Sequence, residues 1–376
     1  MSGTVYLDYN ATAPVRPQAI AAVSAALSEI GNPSSVHRFG RLARRAVEVA
    51  RGQIAALVGA APRQIVFTSG GTEANNLAVT GTGRRLVVAA IEHDSVLRPA
   101  QDAALVLAGR DGCIDIAALD RLLAADPAPA LVAVMLANNE TGVIQPIADV
   151  VRIARAYGAY VHCDAVQAAG KIPVDFMALG VDTMALSAHK LGGPPGIGAL
   201  VVADNVVLRP LVTGGGQERG RRAGTENVPA IAGFGAAAAL AQHDLSRMAD
   251  LVRLRDDLER RIASIAPEAV IIGADATRLP NTSCVALPGV PAETQVMALD
   301  LAGIAVSAGS ACSSGKVRAS HVLQAMGLGP DLAGSAIRIS AGWATEPEDF
   351  ERFFEAWTAL RRRLDARQSG PESPAA

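Results

Sequence analysis

From about Arg16 to His243 the chain alternates helical periodicity with short runs of apolar, often β-branched residues. The stretch FGRLARRAVEVARGQIAALVG (Phe39–Gly59) carries its apolar residues at helical spacing and stops on a glycine, which predicts a helix. Short strands are predicted at Ile65–Phe67, Leu86–Ala90, Leu131–Leu136, Ala159–Cys163, Thr183–Ser187 and Gly198–Val202. Strands separated by helical stretches imply crossover units and a mostly parallel sheet. Polar residues gather just beyond the first five runs, as TSGGTEANN, EHDS, NNETG, DAVQ and AHK. Ligands of open α/β sheets bind in the crevice past the carboxyl ends of the strands, so these clusters predict one site assembled from distant segments.

Past Leu245 the pattern changes. A helical stretch, Leu251–Ile265, leads to the strand-like pieces VIIGA and SCVALPG, then to SAGSACSSGKV (Ser307–Val317), a late strand AIRISAG, and a terminal helix from EPEDF onward. That helix has acidic residues in its first turn and arginine in its last, the order its dipole favours. A smaller C-terminal domain is expected here, and QSGPESPAA reads as disordered.

Composition narrows the class. Half of the 376 residues are hydrophobic but only 3% are aromatic, so the core is built from Ala, Val, Leu and Ile, which suits parallel strands buried on both faces. A net charge of −2 gives no reason to expect nucleic acid or an anionic membrane as partner. No apolar run reaches ~18 residues, and MSGTVYLDYN has neither a basic start nor an apolar signal core, which reads as a cytoplasmic protein. The cysteines, Cys113, Cys163, Cys284 and Cys312, form no C-x-x-C pair and no zinc-like cluster with histidine, so free thiols are expected and no resident metal.

Most of the candidate residues admit two readings. Lys190, between a buried strand and a Gly/Pro turn, is either a solvated loop lysine or an amine whose surroundings suit a Schiff base. Asp164 ends a buried strand, where it caps a following helix or faces a pyridinium nitrogen. Thr72, after Ser69-Gly70-Gly71, opens a helix whose N-terminus suits a phosphate. His93 is a loop histidine, or it stacks on a planar ring and carries protons. Asn139 and Gln167 offer amide hydrogen bonds. Arg338, within an apolar strand, calls for an anionic partner, either a structural carboxylate or a substrate's. Cys312 by type would be buried and inert, yet its small neighbours suit an accessible, reactive thiol.

Together these stretches resemble the pyridoxal-phosphate-dependent cysteine desulfurases of the aminotransferase class V family, nearest the NifS/IscS-like group. The resemblance runs from YLDYNATAPV to the terminal helix and is carried by GNPSSVHRFG, FTSGGTEANN, ANNETGVIQP, VHCDAVQAAGK, SAHKLGGPPGIGAL, GGGQERGRRAGTENVP and SAGSACSSGKVRASHVLQAMG. It implies the fold type I of pyridoxal-phosphate (PLP) enzymes. A large PLP-binding domain over 14–246 with a mostly parallel seven-stranded sheet is expected. A smaller α+β domain from 1–13 and 247–366 would carry the cysteine loop, with 367–376 as a tail.

The same resemblance implies roles. Lys190 would hold the cofactor covalently, Asp164 would pair with its pyridine nitrogen, and His93 would stack on the ring and act in proton transfer. Gln167 would bond the phenolic oxygen and Asn139 would lie beside ring and substrate. Gly71, Thr72, Ser187 and His189 would hold the phosphate, joined by Thr225 from the other subunit of a homodimer with shared sites. Arg338 would bind the carboxylate of L-cysteine. Cys312 would attack the substrate sulfur, releasing alanine and carrying a persulfide to an iron–sulfur scaffold or another acceptor protein, with transient contact to a cluster during delivery. A selenocysteine lyase or another class V aminotransferase is the alternative, although an aminotransferase has no use for Cys312.

Overall fold

The computed structural model describes residues 3–309 and 320–368, so Cys312 lies outside the described residues. A seven-stranded sheet forms the centre. Its strands in chain order are β1 (Ile65–Thr68), β2 (Arg85–Ala89), β3 (Ala104–Val106), β4 (Ala130–Ala133), β5 (Tyr160–Asp164), β6 (Thr183–Ser187) and β7 (Gly198–Val202), arranged 1-7-6-5-4-2-3. Pairings among β6, β5, β4, β2 and β3 are parallel, whereas β7 runs antiparallel to both neighbours. The reason is length. Only residues 188–197 join β6 to β7, too few for a crossover helix, so the chain turns back as a hairpin. Lys190 sits in that hairpin, at the carboxyl end of β6.

Sequence patterning located six strands to within a few residues and missed β3, three residues long at the sheet edge. The run Leu131–Leu136 is a regular strand only to Ala133. Val134 and Leu136 still donate backbone bonds to β5, at His162 O and Asp164 O. Apolar side chains from these strands pack with the helix Arg38–Leu57 and the alanine-rich helix Val228–His243 into one core that includes Val132, Val161, Met184, Ile54 and Phe234.

A four-stranded antiparallel sheet follows: β8 (Val270–Ile271), β9 (Thr282–Ala286), β10 (Ser307–Ala308) and β11 (Ala336–Ser340), in the order 10-11-9-8. Its core joins Val285, Ile337 and Ile339 to Leu251 and Leu258 of the helix Leu245–Ile265 and to Phe353 and Trp357 of the helix Pro347–Gln368. The N-terminal Val5 and Leu7 belong to this second core, through a short parallel pairing of Val5–Tyr6 with Ile304–Ala305. Residues 8–11 are thereby carried back to the edge of the large sheet, where Asn10 meets Gln167 and Lys190. No helix among the described residues is long and apolar enough to cross a membrane.

Candidate active site

At the carboxyl edge of the large sheet lies a cavity of about 310 Å³. It is lined by ten of the twelve residues singled out above: Gly71, Thr72, His93, Asn139, Asp164, Gln167, Ser187, His189, Lys190 and Arg338. Nine of them come from five strand ends of the large sheet or the turns after them, as the alternation of strands and polar clusters requires, and Arg338 comes from β11 of the second sheet. Thr225 does not line it and stands exposed ahead of the helix Val228–His243.

The floor is built by close backbone approach. A Cβ at Gly198, the first residue of β7, would stand 2.5 Å from Gly70 C, so only glycine lets the 69–71 turn cross the sheet end there. The helix Gly71–Gly81 then begins at the cavity with Glu73 in its first turn. Gly70 is the N-cap and no side chain caps the helix, so the N–H groups of its first turn are available to an anion.

Asp164 is 7% exposed, and both of its oxygens are held from within the protein. Val166 N–H donates to Oδ1 at 2.9 Å and Asn75 Nδ2 to Oδ2 at 2.7 Å. No helix follows β5 directly, so the helix-capping reading of Asp164 gives way to a carboxylate that fixes the 165–167 turn. Asn75 gives its second hydrogen to Ser95 Oγ at 2.8 Å, so its Oδ1 accepts from His162 Nε2 at 3.0 Å. Burial lowers the pKa of His162 to about 4, and the neutral ring accepts the Thr183 hydroxyl at Nδ1. Ser95 in turn directs both its hydroxyl and its backbone N–H at His93 Nδ1, at 2.8 and 3.1 Å. A neutral His93 therefore carries its hydrogen on Nε2.

Lys190 Nζ donates to the carbonyl oxygen of Asn10 and, at 2.9 Å, to that of Ala11. Its neighbour His189 has a pKa lowered to about 4 by burial and then by the charges of Lys190 and Lys171, so it meets a ligand as a neutral ring. Arg338 meets the structural-carboxylate reading and also lines the cavity. Nη2 pairs with Asp8 Oδ1 at 2.7 Å and Nη1 reaches Asn139 O at 3.1 Å, while Nε is buried without a partner among the described residues. The guanidinium lines the cavity and is aimed by an internal carboxylate.

Several contributors escaped the sequence reading. Asn10, Asn75, Ser95 and Met135 line the cavity, and Lys171 lies behind it. Glu92 is fully buried, accepts Met135 N–H, and is held well above the usual carboxylate range by burial and then by the charge of Asp164. Glu218 and Arg219 are non-glycine residues in the left-handed region, at φ 47° and 56°. Such backbone costs about 1–3 kcal/mol per residue. Opposing it, the buried Glu218 carboxylate takes two bonds from Arg51, at 2.8 and 2.9 Å, and Phe67 N–H of β1 at 3.0 Å. The segment leading to Thr225 is thus tied to the strand that feeds the 69–71 turn.

Glu140, next to Asn139, is 3% exposed and accepts the Ser320 hydroxyl at 2.5 Å. Burial raises its pKa from 4.5 to about 7 against the lowering effects of Ser320 and Arg338. A carboxyl raised by folding stabilises the fold fully below its unfolded pKa and loses that contribution as pH climbs through the folded value. Glu140→Gln retains an acceptor for Ser320 and cannot ionise. It is expected to be more stable than the wild type at pH 8, relative to their difference at pH 4.5, by about 3 kcal/mol. Urea unfolding of both proteins at the two pH values measures this, and parallel pH profiles would refute it.

Cys163 and Cys284 are buried; burial lifts Cys163 far above the thiol range and Cys284 to about 12. Cys113, half-buried, is raised by burial and then by Asp111. None of these three is set up as a thiolate at neutral pH.

Residues 5–353 match the aminotransferase class-V family. The chain is 40% identical over 380 residues to a cysteine desulfurase IscS of Dictyoglomus turgidum, covering 97% of this chain and 96% of that one. It is 43% identical over 381 residues to a cysteine desulfurase of Cereibacter sphaeroides, covering 96% and 97%. Among solved structures, a NifS-like protein from Rickettsia africae superposes with a TM-score of 0.89 at 37% identity, covering 96% of this chain and all of that one. The chain belongs to the aminotransferase class-V family, among its cysteine desulfurases of the NifS and IscS kind.

Proposed function

We propose that this chain is a cysteine desulfurase that binds PLP in the 310 Å³ cavity and takes the sulfur of L-cysteine onto Cys312. The observation that carries this reading is the donor set converging there. An amine, a buried carboxylate, a helix N-terminus and a histidine ring line one space, and PLP has a group to match each. Lys190 would hold the aldehyde carbon and Asp164 the pyridine nitrogen. The first turn at Gly71 and Thr72, with Ser187 and neutral His189, would hold the phosphate. His93 would cover the ring, and Gln167 would donate to the phenolic oxygen. The cofactor, when bound, supplies an electron sink for charge developing on the substrate.

The protein's own groups do the rest. The carbonyls of Asn10 and Ala11 fix the Lys190 amine at the cavity wall. His93, with Nδ1 engaged by Ser95, offers a proton at Nε2. Arg338, aimed by Asp8, would take the substrate carboxylate, with Asn139 beside it. The Cys312 thiolate would then attack the substrate sulfur. The new S–S bond forms as the C–S bond breaks, and the electron pair stays with carbon, which takes up a proton and leaves as alanine. The persulfide would pass to an iron–sulfur scaffold or another acceptor protein.

A homodimer fits the same reading. A groove of about 640 Å³ between the helices Pro17–Leu27, Arg38–Leu57 and Val228–His243 is lined by Leu27, Leu42 and Val49, which are 69%, 41% and 53% exposed. Glu226, next to Thr225, borders it. An apolar groove of this kind suits a second copy of the chain, and Thr225 would reach across to that copy's phosphate site.

The test is incubation of the PLP-loaded protein with L-cysteine and dithiothreitol, with alanine and sulfide quantified. Equimolar products are expected. Cys312→Ala should slow both by at least about 10²-fold, because dithiothreitol in solution lacks the effective molarity of the lost thiol. Neither product from the wild type, with a cofactor band that still responds to other amino acids, would make the protein an aminotransferase instead.

A further inference from the structure

The helical turn after β5 buries a second amine close to Lys190. Backbone bonds from Ala169 N and Lys171 N to Ala165 O and Ala168 O wind residues 165–172 so that Gln167 and Lys171, four apart, share a face. Lys171 is 6% exposed. Its Nζ donates to Asn10 Oδ1 at 2.6 Å and to Gln167 Oε1 at 2.7 Å, two amide oxygens where a buried ammonium would ordinarily have a carboxylate. Burial, then the nearby charges of Lys190 and Arg338, hold it far below the usual lysine range.

This costly placement holds the other end of an amide whose orientation the Asn10 carbonyl also favours. An amide presents an oxygen or an NH₂ group depending on which way it is turned. With Oε1 committed to Lys171, Gln167 shows Nε2, one hydrogen of which goes to Asn10 O at 2.9 Å. The other remains for the cavity that Gln167 lines. Asn10 is fixed in the same way. Its Oδ1 accepts from Lys171 and Asn281, its Nδ2 donates to Asn139 O and Thr282 Oγ1, and its carbonyl accepts from both Gln167 and Lys190.

We propose that Lys171 is a positioning residue that locks Gln167 with its N–H toward the cofactor's phenolic oxygen. This rests on the PLP-binding reading above. A donor on that oxygen favours its anion, so losing the donor raises the pH at which the chromophore gives up its proton.

The experiment compares wild type, Lys171→Met, Gln167→Ala and the double variant in two readouts. These are the affinity of apoprotein for PLP and the pH midpoint of the bound cofactor's visible band. Lys171→Met is expected to weaken affinity about tenfold and raise the midpoint by about 1 pH unit, the scale of one hydrogen bond to a charged group. In the Gln167→Ala background it should add nothing further, because its effect passes through Gln167. Should the methionine variant not fold, Lys171→Gln takes its place in the same cycle, with a smaller shift expected because its shorter NH₂ group still offers Gln167 a donor. Additive effects, or wild-type values in the Lys171 variants, would overturn the proposal. A wild type that shows no visible band with PLP would overturn the PLP-binding reading and this proposal with it.

Discussion

Replacing Lys190 by alanine is expected to lower alanine formation from L-cysteine by at least about 10⁴-fold, through loss of the proposed covalent anchor. The structure gives this amine no understudy among the cavity-lining residues. Lys171 is nearest in kind, but it does not line the cavity, and its Nζ is committed to Asn10 and Gln167. The fold should survive the change. The turn that carries Lys190 is held by Leu191 N and Gly193 N on Ala188 O, and the Asn10 carbonyl keeps its bond from Gln167. The loss would therefore report on chemistry rather than unfolding. Borohydride reduction followed by the intact mass gives an independent reading. The wild type should gain the mass of the reduced cofactor, and Lys190→Ala should not. A retained mass increment would move the covalent link elsewhere, with Lys171 the next amine to test.

How much of this was legible in the chain differs from element to element, for physical reasons. The strand ends were readable because a buried parallel strand is a short apolar run, and the polar residues that must follow it stand out. Hence His93, Asn139, Asp164, Gln167 and Lys190 could be named before they were seen to line one cavity. Asn75 could not, since it lies inside a helical pattern where an asparagine reads as part of a solvated face, yet it is 1% exposed and holds Asp164. Lys171 carries no local signal either, because a lysine by type belongs on the surface. Asn10 and Asp8 act across very long separations in the chain. Asp8 pairs with a residue 330 positions away, a contact that exists only because Val5–Tyr6 joins the second sheet's core. No local pattern encodes such a meeting. The antiparallel β7 was hidden differently, since its apolar run looks like its neighbours' and only the short 188–197 connection reveals its direction.

Asp164→Asn should lower turnover by about 10³-fold while the protein stays folded and binds PLP, because the change removes one charge and disturbs a defined set of hydrogen bonds. The carboxylate accepts from Val166 N–H at Oδ1 and from Asn75 Nδ2 at Oδ2. The new amide has only one oxygen to offer. The backbone N–H of Val166 cannot turn away, so that oxygen stays there and the NH₂ group confronts Asn75. Asn75 then has to reverse its own amide, which places its oxygen toward Ser95. The Ser95 hydroxyl is drawn off His93 Nδ1, and His162, now facing an NH₂ group, has to shift its hydrogen to the Thr183 side. The substitution thus withdraws the charge proposed for the pyridine nitrogen and also loosens the histidine proposed for proton transfer. Both effects fall on turnover, whereas the groups proposed for the phosphate and the covalent link are untouched. Turnover should accordingly collapse at near-normal cofactor content, measured by alanine formation against bound PLP in the same sample. A wild-type rate would remove Asp164 from the chemistry and leave it the structural task of holding Val166 and Asn75.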